Sequence, residues 1–277
     1  SEGKEWVAPR ITDPAQVRDL PVPDVREGRT GQVLRDLAAA AAQLAPGERL
    51  REPDIQSPFG VAELMWGQPF YVALLEHPRE VHELLEKITA FIISFIREVR
   101  RVAGERLNAA GFPLIWADEH GTMLSDDSMS LLSPAMHREF SLPYVNRIAE
   151  ACGPLFYHSC TWRRQYFPNL HDVQNVRAYN WNPGNSDDPA VIIREFSGRA
   201  VLAPHLVAEM HRDRDATSWG RTFADELDLL RYMVDAMTDR TAMYFWFSNV
   251  VRKGPVIERI HDWLDAEGFT PRARGLA

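Results

Sequence analysis

Cysteine is scarce in this chain, and that scarcity removes one class of fold. Only Cys152 and Cys160 occur, too few for a disulfide framework, so packed side chains must hold the fold. A reduced, cytoplasmic setting is the one that suits two thiols. Net positive charge is lacking too. Against 39 Asp+Glu stand 31 Lys+Arg, a formal charge of −8, which counts against a nucleic-acid partner because phosphate backbones are gripped by cationic surfaces. The basic cluster Arg97, Arg100, Arg101 and Arg106 reads as the solvated face of a helix.

Long apolar runs are missing. The stretch around 88–96 is shorter than a membrane span and ends in charge, and residues 1–13 lack the apolar centre of a secretory signal; no membrane partner is expected. No Gly-x-Gly-x-x-Gly turn or phosphate loop is present, which weakens an open, doubly wound nucleotide-binding sheet. Linker-like segments and internal repeats are absent as well. The 277 residues therefore read as an N-terminal arm over 1–30 and a single domain over 31–277.

What is present is an alternation of short apolar strands and amphipathic helices. Helices are predicted over 32–44, from Pro78 to about 107, from Ser133 to Cys152, and over 162–170, 188–196, 222–237 and 255–266. Shorter helical pieces fall at 60–66 and 70–75. Strands are predicted at 54–58, 112–117, 154–158, 176–181, 200–203 and 242–247. Such alternation is the pattern of a parallel sheet with helices outside it. The expected fold is α/β, a distorted or incomplete (β/α)8 TIM barrel, since about six strands are read where eight close a full barrel.

The most informative segment is Pro154-Leu-Phe-Tyr-His-Ser-Cys160. Residues two apart on a strand share a face, so His158 and Cys160 are expected to project together at a strand's C-terminal end, where such folds bind ligands. An imidazole nitrogen and a thiolate are good zinc ligands. On spacing alone the pair also reads as an inert thiol beside a satisfied histidine, or as a nucleophilic Cys/His pair in want of an orienting group. Other strand-end candidates surround it. Glu119 is placed as a metal ligand or acid/base, and Asp127, from the Asp126-Asp127 pair, as a catalytic carboxylate. Asp54, Gln56, Trp116, Tyr157, Asn180 and His205 are candidate contacts to a small-molecule substrate. Trp116, Tyr157, Trp162 and Trp181 are possible rim aromatics for a flat macrocycle.

Several phrases of the sequence together resemble the uroporphyrinogen decarboxylase-like superfamily. They are Asp54-Ile-Gln-Ser-Pro-Phe-Gly, Gly67-Gln-Pro-Phe with His77-Pro-Arg-Glu-Val-His82, Leu132-Ser-Pro-Ala-Met-His-Arg-Glu-Phe140 with Pro143-Tyr144, and the run from Gly153 to Cys160. The resemblance spans about 24–268. It implies a distorted TIM barrel and either of two activities, the haem-pathway decarboxylation or methyl transfer with corrinoid proteins. In the methyl-transferring branch a His-x-Cys pair at this place, with a third ligand, holds zinc, which activates a thiol to take a methyl group from a corrinoid. The resemblance thus assigns zinc to His158 and Cys160, with a corrinoid, free or on a protein partner, as methyl donor or acceptor. An oligomer is compatible with it.

Two departures bear on the choice. The late cysteine of the zinc enzymes is missing, since 242–250 contains none; Glu119, an aspartate or water would have to replace it. The arginine-rich N-terminal motif of the decarboxylase is not visible either. Methyl transfer is therefore the leading expectation. Cofactor-free decarboxylation through Asp54 or Asp126-Asp127, and a catalytically silent barrel that binds a partner, are the alternatives.

Overall fold

The structure, a computed structural model, describes residues 8–108, 121–207, 219–238, 242–248 and 254–268. The chain divides into two compact units, Ser1–Asn180 and Trp181–Ala277.

The first unit is built around one long helix. Its elements are α1 (Gln16–Asp19), α2 (Gly28–Gln43), β1 (Leu50–Arg51), α3 (Pro58–Trp66), α4 (Phe70–Glu76) and α5 (Pro78–Ala103). There follow β2 (Leu107–Asn108), β3 (Thr122–Ser125), α6 (Pro134–Phe140), α7 (Leu142–Cys152), β4 (Leu155–His158) and α8 (Phe167–His171). The unit's end falls within β5 (Val176–Trp181). Helix α5 forms because Val81, Leu84, Leu85, Ile88, Ile92, Ile96 and Val99 recur at helical spacing, and all of them are buried. Each such side chain withdrawn from water contributes about 1.5–3 kcal/mol. Pro78 occupies its first turn, where a missing N–H costs nothing, and Gly104 ends it at φ 54°. Phe91 and Phe95 flank the buried stripe and pack on Val25, Leu34 and Val99.

The described part of the N-terminal arm packs on the rest of the first unit. The N–H groups of Arg10 and Ile11 donate to Met65 O at 2.7 and 3.0 Å, Ile11 and Val17 are buried, and Lys87 Nζ caps the carbonyls of Val17 and Arg18. The basic cluster is solvated in part: Arg97 and Arg101 are exposed. Arg100 and Arg106 reach backbone carbonyls, Gly121 O and Ala45 O, both at 2.8 Å.

Strands β3, β4 and β5 run parallel, with Ser125 opposite His158 and His158 opposite Asn180. Gln56 adds an isolated parallel bridge to Ser125, so the 54–58 segment contributes one bridge rather than a full strand. A further parallel pair joins β1 to β2. Strand β3 was not anticipated, and the strand expected at 112–117 lies outside the described residues. The helix predicted from Ser133 to Cys152 is two helices, broken at Ser141 because Pro143 cannot donate the hydrogen bond that would carry the first helix onward. That expected at 162–170 is a 3-10 turn followed by the short α8.

The second unit holds α9 (Pro189–Phe196), β6 (Val201–Val207), α10 (Glu226–Val234), β7 (Trp246–Ser248) and α11 (Gly254–Ala266). Strands β6 and β7 are parallel. Asp188 caps α9 through Ala190 N and accepts Tyr232 Oη of α10 at 2.7 and 2.8 Å. Asp225 caps α10 and pairs with Arg259 of α11 at 2.7 Å. The class is thus the expected one, α/β with parallel strands, and the strand order β3-β4-β5 agrees with the wall of a distorted barrel. Among the described residues no helix is long and apolar enough to cross a membrane.

Candidate metal centre

Three neighbouring strand ends and one bridging segment assemble a polar row. Gln56, Ser125, His158 and Asn180 stand in register, and residues in register on adjacent parallel strands project from the same face. Alternation then separates the two consecutive aspartates. Asp127 shares the face of Ser125 and His158, whereas Asp126 shares that of Leu124 and Tyr157. The hydrogen bonds obey this division. Asp127 Oδ1 lies 3.3 Å from His158 Nε2, and Asp126 Oδ2 accepts Tyr157 Oη at 2.8 Å.

Cys160, two residues past the end of β4, brings Sγ to 3.4 Å from the same His158 Nε2. Its backbone N–H donates to Asp127 Oδ1 at 2.7 Å, which ties the Asp127 loop to the His158 loop. One ligand atom each from Asp127, His158 and Cys160 lies within 4.8 Å of the others. On the far side of the ring, His158 Nδ1 meets Asn180 Oδ1. An amide oxygen only accepts, so Nδ1 carries the proton and Nε2 is turned toward the sulfur and the carboxylate.

Electrostatics reinforce the cluster. Burial acts to strip the charge from His158, but its bonds to Asp127 and Cys160 outweigh burial and raise its pKa. Burial likewise acts to protonate Asp127, and the contacts with His158 and Cys160 outweigh that and hold the carboxyl low.

The donor set fits a metal such as zinc. With bonds of about 2.0 Å to O, 2.05 Å to N and 2.3 Å to S, tetrahedral angles place N and O about 3.3 Å apart and N and S about 3.6 Å apart. The 3.3 and 3.4 Å found here are close to those edges.

The other expected residues are distributed differently. Glu119 and Trp116 lie outside the described residues. Asp54 is exposed and accepts Ser125 Oγ at 3.1 Å, and Gln56 is half-buried beside it in the row. Asn180, expected to touch substrate, bonds His158 Nδ1 through Oδ1. Tyr157, Trp162 and Trp181, expected at a rim, are each 0% exposed, so none offers a ring to a macrocycle; Tyr157 and Trp162 pack edge-on against Tyr179. His205 is half-buried on β6 in the second unit. Sequence reasoning missed the surroundings of Asp126, which gathers Ser57, His137 and Ser141 besides Tyr157. The adjacent repetition of aspartate was its only outward sign.

None of the curated proteins matches the chain. Among solved structures, a methyltransferase from Methanosarcina mazei superposes with a TM-score of 0.62 at 13% identity, covering 95% of this chain and 71% of its own; at that identity the likeness is one of fold. The family model described as uroporphyrinogen decarboxylase (URO-D) matches residues 2–193, a span that contains every member of the cluster just described. The chain belongs to the uroporphyrinogen decarboxylase (URO-D) family.

Proposed function

We propose that this protein is a zinc-dependent methyltransferase whose metal is held by Asp127, His158 and Cys160. It moves a methyl group between a corrinoid or methylated small molecule and a thiol or cobalt acceptor. The observation that carries the reading is the convergence of a carboxylate, an imidazole nitrogen and a thiol within 4.8 Å, with the two edges at the imidazole nitrogen, 3.3 and 3.4 Å, near tetrahedral lengths. Asp127 would serve as the third ligand in a chain that has no late cysteine. The fold shared with a methyltransferase supports the reading, as does family membership.

Zinc in such a site would bind an acceptor thiol as thiolate near neutral pH, whereas a free thiol with a pKa of about 8.5 is mostly protonated there. The protein's own groups have defined tasks. Asn180 fixes the imidazole tautomer, and Asp127 and Cys160 supply two negative charges that a divalent ion neutralises. Three protein ligands leave the fourth position for substrate. A corrinoid donor would supply the methyl group and keep the bonding electron pair on cobalt, while the acceptor thiol would form the new sulfur–carbon bond and give up its proton to solvent.

Metal analysis of protein purified without added metal tests the proposal, together with turnover of free methylcobalamin and a small thiol. Stoichiometric zinc in the wild type, lost in the His158→Ala/Cys160→Ala double variant along with methyl transfer, is the expected result. A wild type without zinc, or a double variant that keeps it, overturns the reading. Cofactor-free decarboxylation retains two accessible carboxylates, Asp54 and Asp127, because Asp126 alone is sealed; turnover of uroporphyrinogen by metal-free protein would favour that alternative.

A further inference from the structure

We propose that Asp126 is a positioning residue: a buried carboxylate that sets Asp127, and through it Cys160, at the spacing a metal requires. The inference rests on the metal-binding reading above.

Asp126 is 0% exposed, yet its carboxylate accepts hydrogen bonds from four places in the chain. Oδ1 takes Ser57 Oγ at 2.7 Å, from the cap of α3. Oδ2 takes Ser141 Oγ at 2.9 Å from the α6–α7 junction, Tyr157 Oη at 2.8 Å from β4, and His137 Nε2 at 3.2 Å from α6. The histidine's direction follows from its own neighbours. Arg138 can only donate, and its Nη2 takes Asn169 Oδ1 at 2.7 Å. That leaves Asn169 Nδ2 to donate to His137 Nδ1 at 3.0 Å, so the ring proton sits on Nε2 and points at Asp126.

The backbone beside this carboxylate is clamped as well. Ser125 N donates to Ile55 O at 2.9 Å, Ser57 N to Ser125 O at 2.7 Å, and Asp126 N to His158 O at 2.7 Å. The next residue is Asp127, whose Oδ1 receives the Cys160 N–H. A ligand and the loop of a second ligand are thus referred to one fixed carboxylate. Fold stability alone does not call for such a group, because an apolar residue of similar volume in a buried site often serves stability as well or better. Saturated buried polar networks specify geometry, and outer partners of ligands commonly tune metal affinity.

The test compares zinc affinity, by competition with a chromophoric chelator, and the visible spectrum of the cobalt(II)-loaded protein. The variants are Tyr157→Phe and Ser57→Ala, which each remove one donor, and Asp126→Ala, which removes the acceptor. Val99→Ala, in the α2–α5 cluster away from the site, serves as a control for stability loss. The expected result is zinc affinity lowered by about tenfold or more in Asp126→Ala, an effect of the size seen for outer partners of ligands. Tyr157→Phe and Ser57→Ala should show smaller losses in the same direction with altered cobalt bands, and Val99→Ala neither. If Asp126→Ala does not fold, the single-donor variants decide. Wild-type affinity and spectra in the folded variants overturn the inference while leaving the metal site intact. Absence of zinc from the wild type overturns both.

Discussion

Asn180, through its bond to His158 Nδ1, decides which imidazole nitrogen faces Asp127 and Cys160. Replacing it with leucine removes the acceptor for Nδ1–H and frees the ring to change tautomer or turn. Zinc affinity in Asn180→Leu is expected to fall by about 10–100-fold, as for other partners that orient metal-bound histidines, with Asn180→Asp retaining most of it. Competition titration checks both. Glu52 is the other residue with consequences of its own. It is buried against Thr122 Oγ1 at 2.9 Å and Met123 N at 3.0 Å, and burial, opposed by those bonds and by Arg100, pushes its pKa from 4.5 up to about 8. Between those two values the folded chain holds a proton that the unfolded chain has released. Stability therefore falls as pH rises through that window, by on the order of 5 kcal/mol for the full shift. Glutamine can keep both contacts, its Oε1 on Met123 N and its Nε2 on Thr122 Oγ1. Glu52→Gln should accordingly flatten this part of the pH–stability curve in denaturant melts; an unchanged slope would mean that Glu52 is ionised throughout.

At the scale of elements, β3 matters most and was the hardest to read. Gly121, at its start, has no room for a side chain, because a Cβ there would stand 2.4 Å from Pro154 O, the acceptor of the Thr122 N–H at 2.9 Å. Gly121→Ala should push β3 away from β4. The expected cost is about 1–3 kcal/mol, measured by chemical denaturation, with a loss of zinc affinity because Asp127 follows this strand. Long amphipathic elements were legible: α5 shows its buried stripe as a 3.6-residue rhythm, and β4 and β5 emerge as apolar runs. Strand β3 shows no such rhythm, since Thr122, Met123, Leu124 and Ser125 are all buried and two of the four are polar. The break at Ser141 had a signal in Pro143, overridden by the continuing helical spacing on either side. His158 and Cys160 could be paired from strand alternation alone. Asp127 could not be paired with them, because its nearness depends on a strand that had not been recognised.

For the whole molecule, the proposed metal would be linked to the fold. An ion that binds only the native chain adds about 2.7 kcal/mol when present at a hundred times its dissociation constant. Zinc is therefore expected to raise the melting temperature of metal-free protein, and to leave that of His158→Ala/Cys160→Ala unchanged. The gain should increase with pH, since a ligating His158 must give up the proton that Asp127 and Cys160 help it hold. An equal gain in the double variant would locate the stabilising ion elsewhere.

The doubled aspartate after β3 also acts as a safeguard against misthreading. Moving the strand by a single residue exchanges its two sides. A slip one way offers Ser125 to the ring of His137, and a slip the other way leaves Ser128 beside His158. Only one threading supplies an acid to both places, so a chain that mispairs here forfeits either its anchor or its ion.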